Sequence, residues 1–214
     1  MLKRPRRSQA ARSASAQAAL VAAATAALTE VGFARATTAA IAERAGVSTG
    51  ALHHHFASKE DLFIAVLDEA TGRVLTLFEN LSEERPAKAD LSTTIIQSLW
   101  TVYGGMQYWA VWEINIGWRS DKVWAERAIT HREASRDRIY AAIRDNPALT
   151  QHTKEGLLEL YPFILAVTRG MFLETFSGRS EPLLAGQLEI LAELLKSRLV
   201  TATAQPKRAV ARAR

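Results

Sequence analysis

From Leu20 to Val200 apolar residues recur at helical spacing almost without pause, and nowhere does the chain alternate as a half-buried strand must. Leu20, Val21, Ala24, Ala27, Leu28 and Val31 lie on one face of a first helix over roughly 15–31. Short helices follow over 38–45 and 48–55, and a longer one starts at Ser58, where Ser58 with Asp61 makes a variant capping box. Residues 81–90, with Pro86, form a connection. Leu91, Ile95, Leu99 and Val102 predict a fifth helix ending near Gly104-Gly105, and Met106 to Trp118 a sixth. Val123 to Ile143 predicts a seventh, residues 154–177 an eighth, and Pro182 to Val200 a ninth. Pro162 either kinks the eighth helix or marks its true start. The expected class is therefore all-α, with about nine helices and no internal repeat, in one large domain or two small ones.

Two of these helices form a unit with a recognisable shape. Thr37 and Thr38 can cap a helix start with a hydroxyl on the orphan amides, and Ala40, Ile41 and Ala45 give that helix a small apolar face. Gly46 stands where a tight turn needs positive φ, and Val47 plugs the corner. Ser48 can cap the next helix, in which Leu52 and Phe56, four apart, anchor one face. Thr49, Gly50, His53 and His54 remain on or near the other. Two helices joined by a short glycine turn, the second polar on one side, make a helix-turn-helix. Ser48, Thr49, Gly50, Ala51, His53 and His54 are then the expected base readers: Thr49 can bond base edges or pack on a thymine methyl, and Gly50 and Ala51 permit close approach. Lys59 and the hydroxyls of Thr37 and Thr38 suit phosphates. The plainer role of Thr38 and Ser48, capping alone, does not exclude that contact.

The charge lies away from this segment. Lys3, Arg4, Arg6, Arg7 and Arg12 at one end and Lys207, Arg208, Arg212 and Arg214 at the other have no acid among them. Residues 13–200 carry 18 basic and 22 acidic side chains, a net −4, while the whole chain is +5. In 13–61, Arg35, Arg44 and Lys59 stand against Glu30, Glu43, Glu60 and Asp61. Attraction to phosphates is expected largely from the ends. The basic start and Ala-rich run also have the composition of a targeting peptide. The helical spacing from Leu20, Glu30 inside the run and the polar Pro5-Arg6-Arg7-Ser8-Gln9 favour a DNA-contacting arm. No stretch reads as long and apolar enough to span a membrane, so no membrane partner is expected. The absence of cysteine excludes disulfides and thiolate chemistry and fits a cytoplasmic location.

Ile41-Ala42, Ala45-Gly46-Val47-Ser48, Gly50-Ala51-Leu52, His54-His55-Phe56 and Ser58-Lys59-Glu60-Asp61-Leu62, with the first helix and Gly32-Phe33, resemble the N-terminal domain of TetR-type transcriptional regulators. The resemblance covers roughly residues 15–68 closely; beyond that it is one of architecture. That family usually has tyrosine at the position of His53, where the phenol reaches a phosphate. Histidine can donate there too, and it is the side-chain type whose charge changes near neutral pH. The resemblance implies a sequence-specific regulator, a repressor, in which the fourth helix leads from the reader to a C-terminal domain that binds an effector and dimerises. The implied layout is a disordered basic arm over 1–14, the helix-turn-helix domain over 15–62, the effector and dimer domain over 63–200 and a disordered basic tail over 201–214. The implied partners are a palindromic double-stranded operator, a small effector and a second copy of the chain.

All five tryptophans fall between Trp100 and Trp124. Trp100, Tyr103, Met106, Trp109, Trp112 and Glu113 have the make-up of a pocket for an apolar or cationic ligand. Core packing accounts for them equally well, Trp118 and Trp124 read as structural, and Glu113 is also placed to pair with Arg119. Leu157, Leu160, Ile164, Val167 and Phe172, then Leu183, Leu188, Leu191, Leu194 and Leu195, are apolar over more than one stripe, as a two-fold four-helix interface or deep burial requires. His53-His54-His55 cannot converge on a metal, since consecutive helical residues point about 100° apart, and His55 belongs beside Leu52 and Phe56. No nucleophile, base and acid set appears; Glu113 with His131 or His152 is the best acid–base pair available. We expect no catalysis, cofactor or metal. The remaining alternative is a ligand-independent architectural protein that binds DNA through its basic ends.

Overall fold

A computed structural model describes residues 9–80, 90–178 and 181–201. Within them are nine α-helices and no strand: α1 (Gln9–Arg35), α2 (Thr38–Arg44), α3 (Thr49–His55), α4 (Lys59–Asn80), α5 (Leu91–Tyr103), α6 (Trp109–Trp118), α7 (Lys122–Asp145), α8 (Gln151–Glu174) and α9 (Glu181–Thr201). Side-chain oxygens set several starts. Thr37 accepts from the Ala40 amide at 3.2 Å, Ser48 from Ala51 at 3.1 Å, Asp90 from Ser92 at 3.0 Å and Thr150 from Thr153 at 3.2 Å, each satisfying an amide that a helix start leaves orphaned.

The described residues gather into two compact units. One comprises residues up to Arg73 together with Gly105–Asp137, the other Val74–Gly104 together with residues from Arg138 on. The first unit thus holds α1, α2, α3 and α6, with the opening parts of α4 and α7. Its core runs through Leu20, Leu28, Ile41, Leu52, Phe63, Ile114 and Trp118. In the second, α5, α8 and α9 pack around Leu99, Leu157, Ile164, Phe172 and Leu195, all buried. There the hydroxyls of Tyr103 and Tyr161 lie 2.5 Å apart, Tyr140 meets Tyr161 edge-on, Asn146 Nδ2 donates to the Phe78 carbonyl at 2.7 Å, and Lys196 pairs with Asp90 at 2.8 Å.

Several expectations need correction. The arm expected to be disordered over 1–14 is helical from Gln9, because an alanine-rich start readily extends a helix whose later turns are packed; residues 1–8, like 202–214, lie outside the described residues. The 81–90 connection lies outside them too, apart from Asp90. By contacts, α6 groups with the unit of the short helices. The sixth helix opens with a 3-10 turn over Met106–Tyr108. Pro162 is not the start of the eighth helix, which runs through it from Gln151 under its Thr150 cap. Finally, α1 and Gln151–Thr175 are both long and apolar enough to cross a membrane by length and composition. Part of each helix is core of its unit: Leu20, Ala24 and Leu28 in α1 and Leu157 in α8 are fully enclosed. A packed core helix has that composition for the same reason a span does, the removal of its side chains from water.

Candidate nucleic-acid interface

The second short helix is presented as a polar edge held from behind. Gly46, at φ 69°, makes the turn between α2 and α3, a conformation open to glycine at no steric cost. The Val47 amide closes the corner on the Ala42 carbonyl at 3.0 Å. Leu52 is fully buried and Phe56 nearly so, fixing α3 from one side. On the other side Thr37, Ser48, Thr49, Gly50, His53 and His54 are exposed, while Thr38 and Ala51 are half-buried. The exposed set therefore lies along one face: the cap of α2, the cap of α3 and the first two turns of α3. Thr37 and Ser48 serve as caps with their hydroxyls at the edge. His55 is half-buried beside His54, its ring 5.5 Å away.

The cations nearby are engaged. Arg44 forms a two-pronged pair with Glu30 at 2.5 and 2.8 Å, and the guanidinium holds the Glu30 carboxyl below its usual range. Arg35 Nε donates to the Val31 carbonyl at 3.0 Å. Lys59, expected to face phosphates, is turned inward: its ammonium donates to the Phe33 carbonyl at 3.3 Å and lies 4.8 and 5.1 Å from the Phe33 and Phe63 ring centres. Burial there pushes its pKa down. Rings offer a cation an attractive face, which sequence distance hid, Phe33 being 26 residues away.

The start of α4 is fixed by Ser58, which accepts from the Asp61 amide at 3.0 Å and donates to Asp61 Oδ2 at 2.7 Å. The predicted capping box thus closes through the hydroxyl. Arg127 of α7 reaches the other Asp61 oxygen at 3.1 Å and lies over the Trp124 ring at 4.5 Å. The Ser58 hydroxyl and then Arg127 hold the Asp61 carboxyl below its ordinary range.

The expected ligand residues belong to both units. Tyr103 is buried with Tyr161 in the second unit, where Trp100 lies over Gly104 so closely that a Cβ there would overlap its ring. Met106, 55% exposed, and half-buried Trp109, Trp112 and Glu113 belong to the first. Trp112 Nε1 is buried with no hydrogen-bond partner among the described residues. Glu113 does not pair with Arg119, which donates to the Ile116 carbonyl; its Oε2 accepts the backbone amide of Phe33 at 2.8 Å. His131 is placed 3.2 Å from Asp68 and 3.5 Å from the Ser135 hydroxyl, itself bonded to Thr71. Sequence reasoning missed the Glu113 contact because 80 residues separate its partners.

Residues 20–66 match the family model described as bacterial regulatory proteins, tetR family. The match spans the helix-turn-helix and the end of the helix before it, so this segment is similar to the N-terminal domain of that family. It is 29% identical over 143 residues to an uncharacterized HTH-type transcriptional regulator of Mycobacterium tuberculosis strain H37Rv, covering 67% of this chain and 71% of that one. Its fold is similar to a putative TetR-family regulator from Mesorhizobium loti, at a TM-score of 0.58 and 21% identity over 90% of this chain and 97% of that one. It is also similar to the multidrug binding protein EbrR complexed with imidazole, at a TM-score of 0.53 and 21% identity over 85% and 93%. Residues 20–66 thus carry a DNA-binding helix-turn-helix.

Proposed function

We propose that this chain is a TetR-family transcriptional regulator, a homodimeric, cytoplasmic repressor that reads a palindromic operator and is released from it by a small, largely apolar effector. The observation that carries the reading is the face of α3. Leu52 and Phe56 hold it from behind, leaving Thr49, Gly50 and His53 exposed, the disposition that major-groove readout requires. In this reading Thr37 and Thr38 meet phosphates, Ser48, Thr49, Gly50, Ala51, His53 and His54 face base edges, and Lys59, from its place on the Phe33 carbonyl, turns a remaining N–H to the backbone.

Dimerisation is supported by apolar surface on α8 and α9. Phe163, Leu173, Leu183 and Ile190 are 49, 39, 49 and 69% exposed, and Phe163, Ala166, Gly170 and Leu173 share one helical face. Exposed apolar stripes on neighbouring helices suit a two-fold interface. Effector binding is supported by the buried, unpartnered Trp112 Nε1, a donor for which a ligand acceptor would substitute, and by a fold shared with a protein described as multidrug binding. We place the effector against Trp109 and Trp112.

The test is a titration of a labelled duplex, enriched by the full chain from a randomised pool, with parent, Thr49→Ala and a form trimmed of residues 1–8 and 202–214. The parent should prefer that duplex over a scrambled one. Thr49→Ala should lose about tenfold of the preference, and trimming should weaken both duplexes alike. Preference that vanishes on trimming but survives Thr49→Ala would return the chain to the architectural reading.

A further inference from the structure

Glu113 stands at an unusual corner of α1. Gly32 leaves the helix at φ 79°, ψ 170°, which turns the next peptide out of the hydrogen-bond ladder. The Phe33 amide then points at Glu113 Oε2, 2.8 Å away on α6. The same residue's carbonyl receives the Lys59 ammonium from the start of α4. Four residues past Phe33 comes Thr37, the cap of α2. One peptide corner therefore has an anion on its N–H and a cation on its C=O, and it leads directly into the edge assigned to DNA. The corner has little room: a Cβ on Gly32 would come within 3.3 Å of Glu113 Oε2, and one on Gly117 would overlap the Phe33 ring.

We propose that Glu113 is a positioning residue for DNA contact: its carboxylate fixes the Gly32-Phe33 corner, and through it the placement of Thr37 and Lys59. The inference rests on the reading of Thr37 and Lys59 as phosphate contacts. It moves Glu113 from the effector set to the DNA-binding machinery. A carboxylate bonded to a backbone amide is among the stronger hydrogen bonds available, and without it the corner must be ordered at the moment DNA binds.

Three readouts test it in the full chain. On the enriched duplex, Glu113→Ala should bind about tenfold more weakly. The slope of log affinity against log salt should fall by about one phosphate contact. Glu113→Gln, which keeps an acceptor oxygen, should recover most of both. Reductive methylation of the free protein should modify Lys59 severalfold more slowly than exposed Lys122, and Glu113→Ala should narrow that gap. A folded Glu113→Ala with parental affinity, salt slope and Lys59 reactivity overturns the proposal, as does Glu113→Gln falling as far as Glu113→Ala. Should Glu113→Ala not fold, the Phe33 amide proton resonance decides: Glu113→Gln must shift it upfield, and an unmoved resonance counts against the bond. If the parent enriches no duplex, the DNA-edge reading fails, while the methylation and resonance measurements still judge the corner.

Discussion

Ser48 has two tasks that a single atom performs. Its Oγ accepts the Ala51 amide at 3.1 Å and lies at the exposed edge of α3. Ser48→Ala should therefore cost about 1 kcal/mol of stability, seen as a lower urea midpoint at an unchanged slope. Asp61 lends itself to a pH test. The Ser58 hydroxyl, and after it Arg127, lower its folded pKa, so its contribution is full at neutral pH and is lost as pH falls through the folded value. Asp61→Asn should lower Tm near neutral pH by an amount worth about 0.5 kcal/mol after solvent screening. The gap to the parent should close in acid; a gap independent of pH would contradict the assignment. Much at this scale was legible: caps, the Gly46 turn and the Leu52–Phe56 anchor are local, and three or four residues of sequence contain each. Lys59 was not, because the rings that draw it inward belong to residues near it only in space.

Between elements, the close approach of α1 and α6 depends on a residue that has no side chain. At Gly117 a Cβ would occupy the Phe33 ring, whereas at Gly72 of α4 it would meet nothing within 4 Å. Gly117→Ala should destabilise by about 1–3 kcal/mol through forced repacking. Gly72→Ala should be neutral or stabilising by about 0.5–1 kcal/mol from helix propensity alone. Thermal unfolding of the pair checks this, and equal effects would contradict it. Periodicity placed the helices, since burial of one face writes itself into the order of residues. It could not give their partners. Ala110, Glu113, Ile114 and Gly117 show a helix with a small residue at 117, and nothing local says that α1 fills the gap. The start of α1 failed for a related reason: an alanine-rich segment is weakly patterned, so arm and helix look alike.

At the scale of the whole molecule the balance of charge shapes the account. The described cations next to the reader are engaged, Arg44 with Glu30, Lys59 with Phe33 and Arg35 with its own helix, so the net charge of +5 resides in the ends. In the proposed function, non-specific attraction and sequence reading are carried by different parts of the chain, and salt should weaken the first far more than the second. Symmetry is the other global expectation. Ile190→Glu puts a charge where an apolar stripe is 69% exposed, and it should convert a dimer into monomers in sedimentation equilibrium while leaving the helical circular dichroism intact. A parent that is monomeric at operator-binding concentrations would remove the two-fold element. The membrane-like composition of α1 and α8 belongs to this scale too, since composition along one helix cannot say whether lipid or protein removes it from water.

In the proposed function the α3 edge reads sequence as one half of a symmetric pair. The most direct measurement is enrichment of duplexes from a randomised pool by the parent and by Thr49→Ala, followed by sequencing. The parent should enrich an inverted repeat with half-site centres about one helical turn apart, and Thr49→Ala should relax the preference at corresponding positions of both halves. A parent pool without a repeat, or identical preferences for the two proteins, would contradict it.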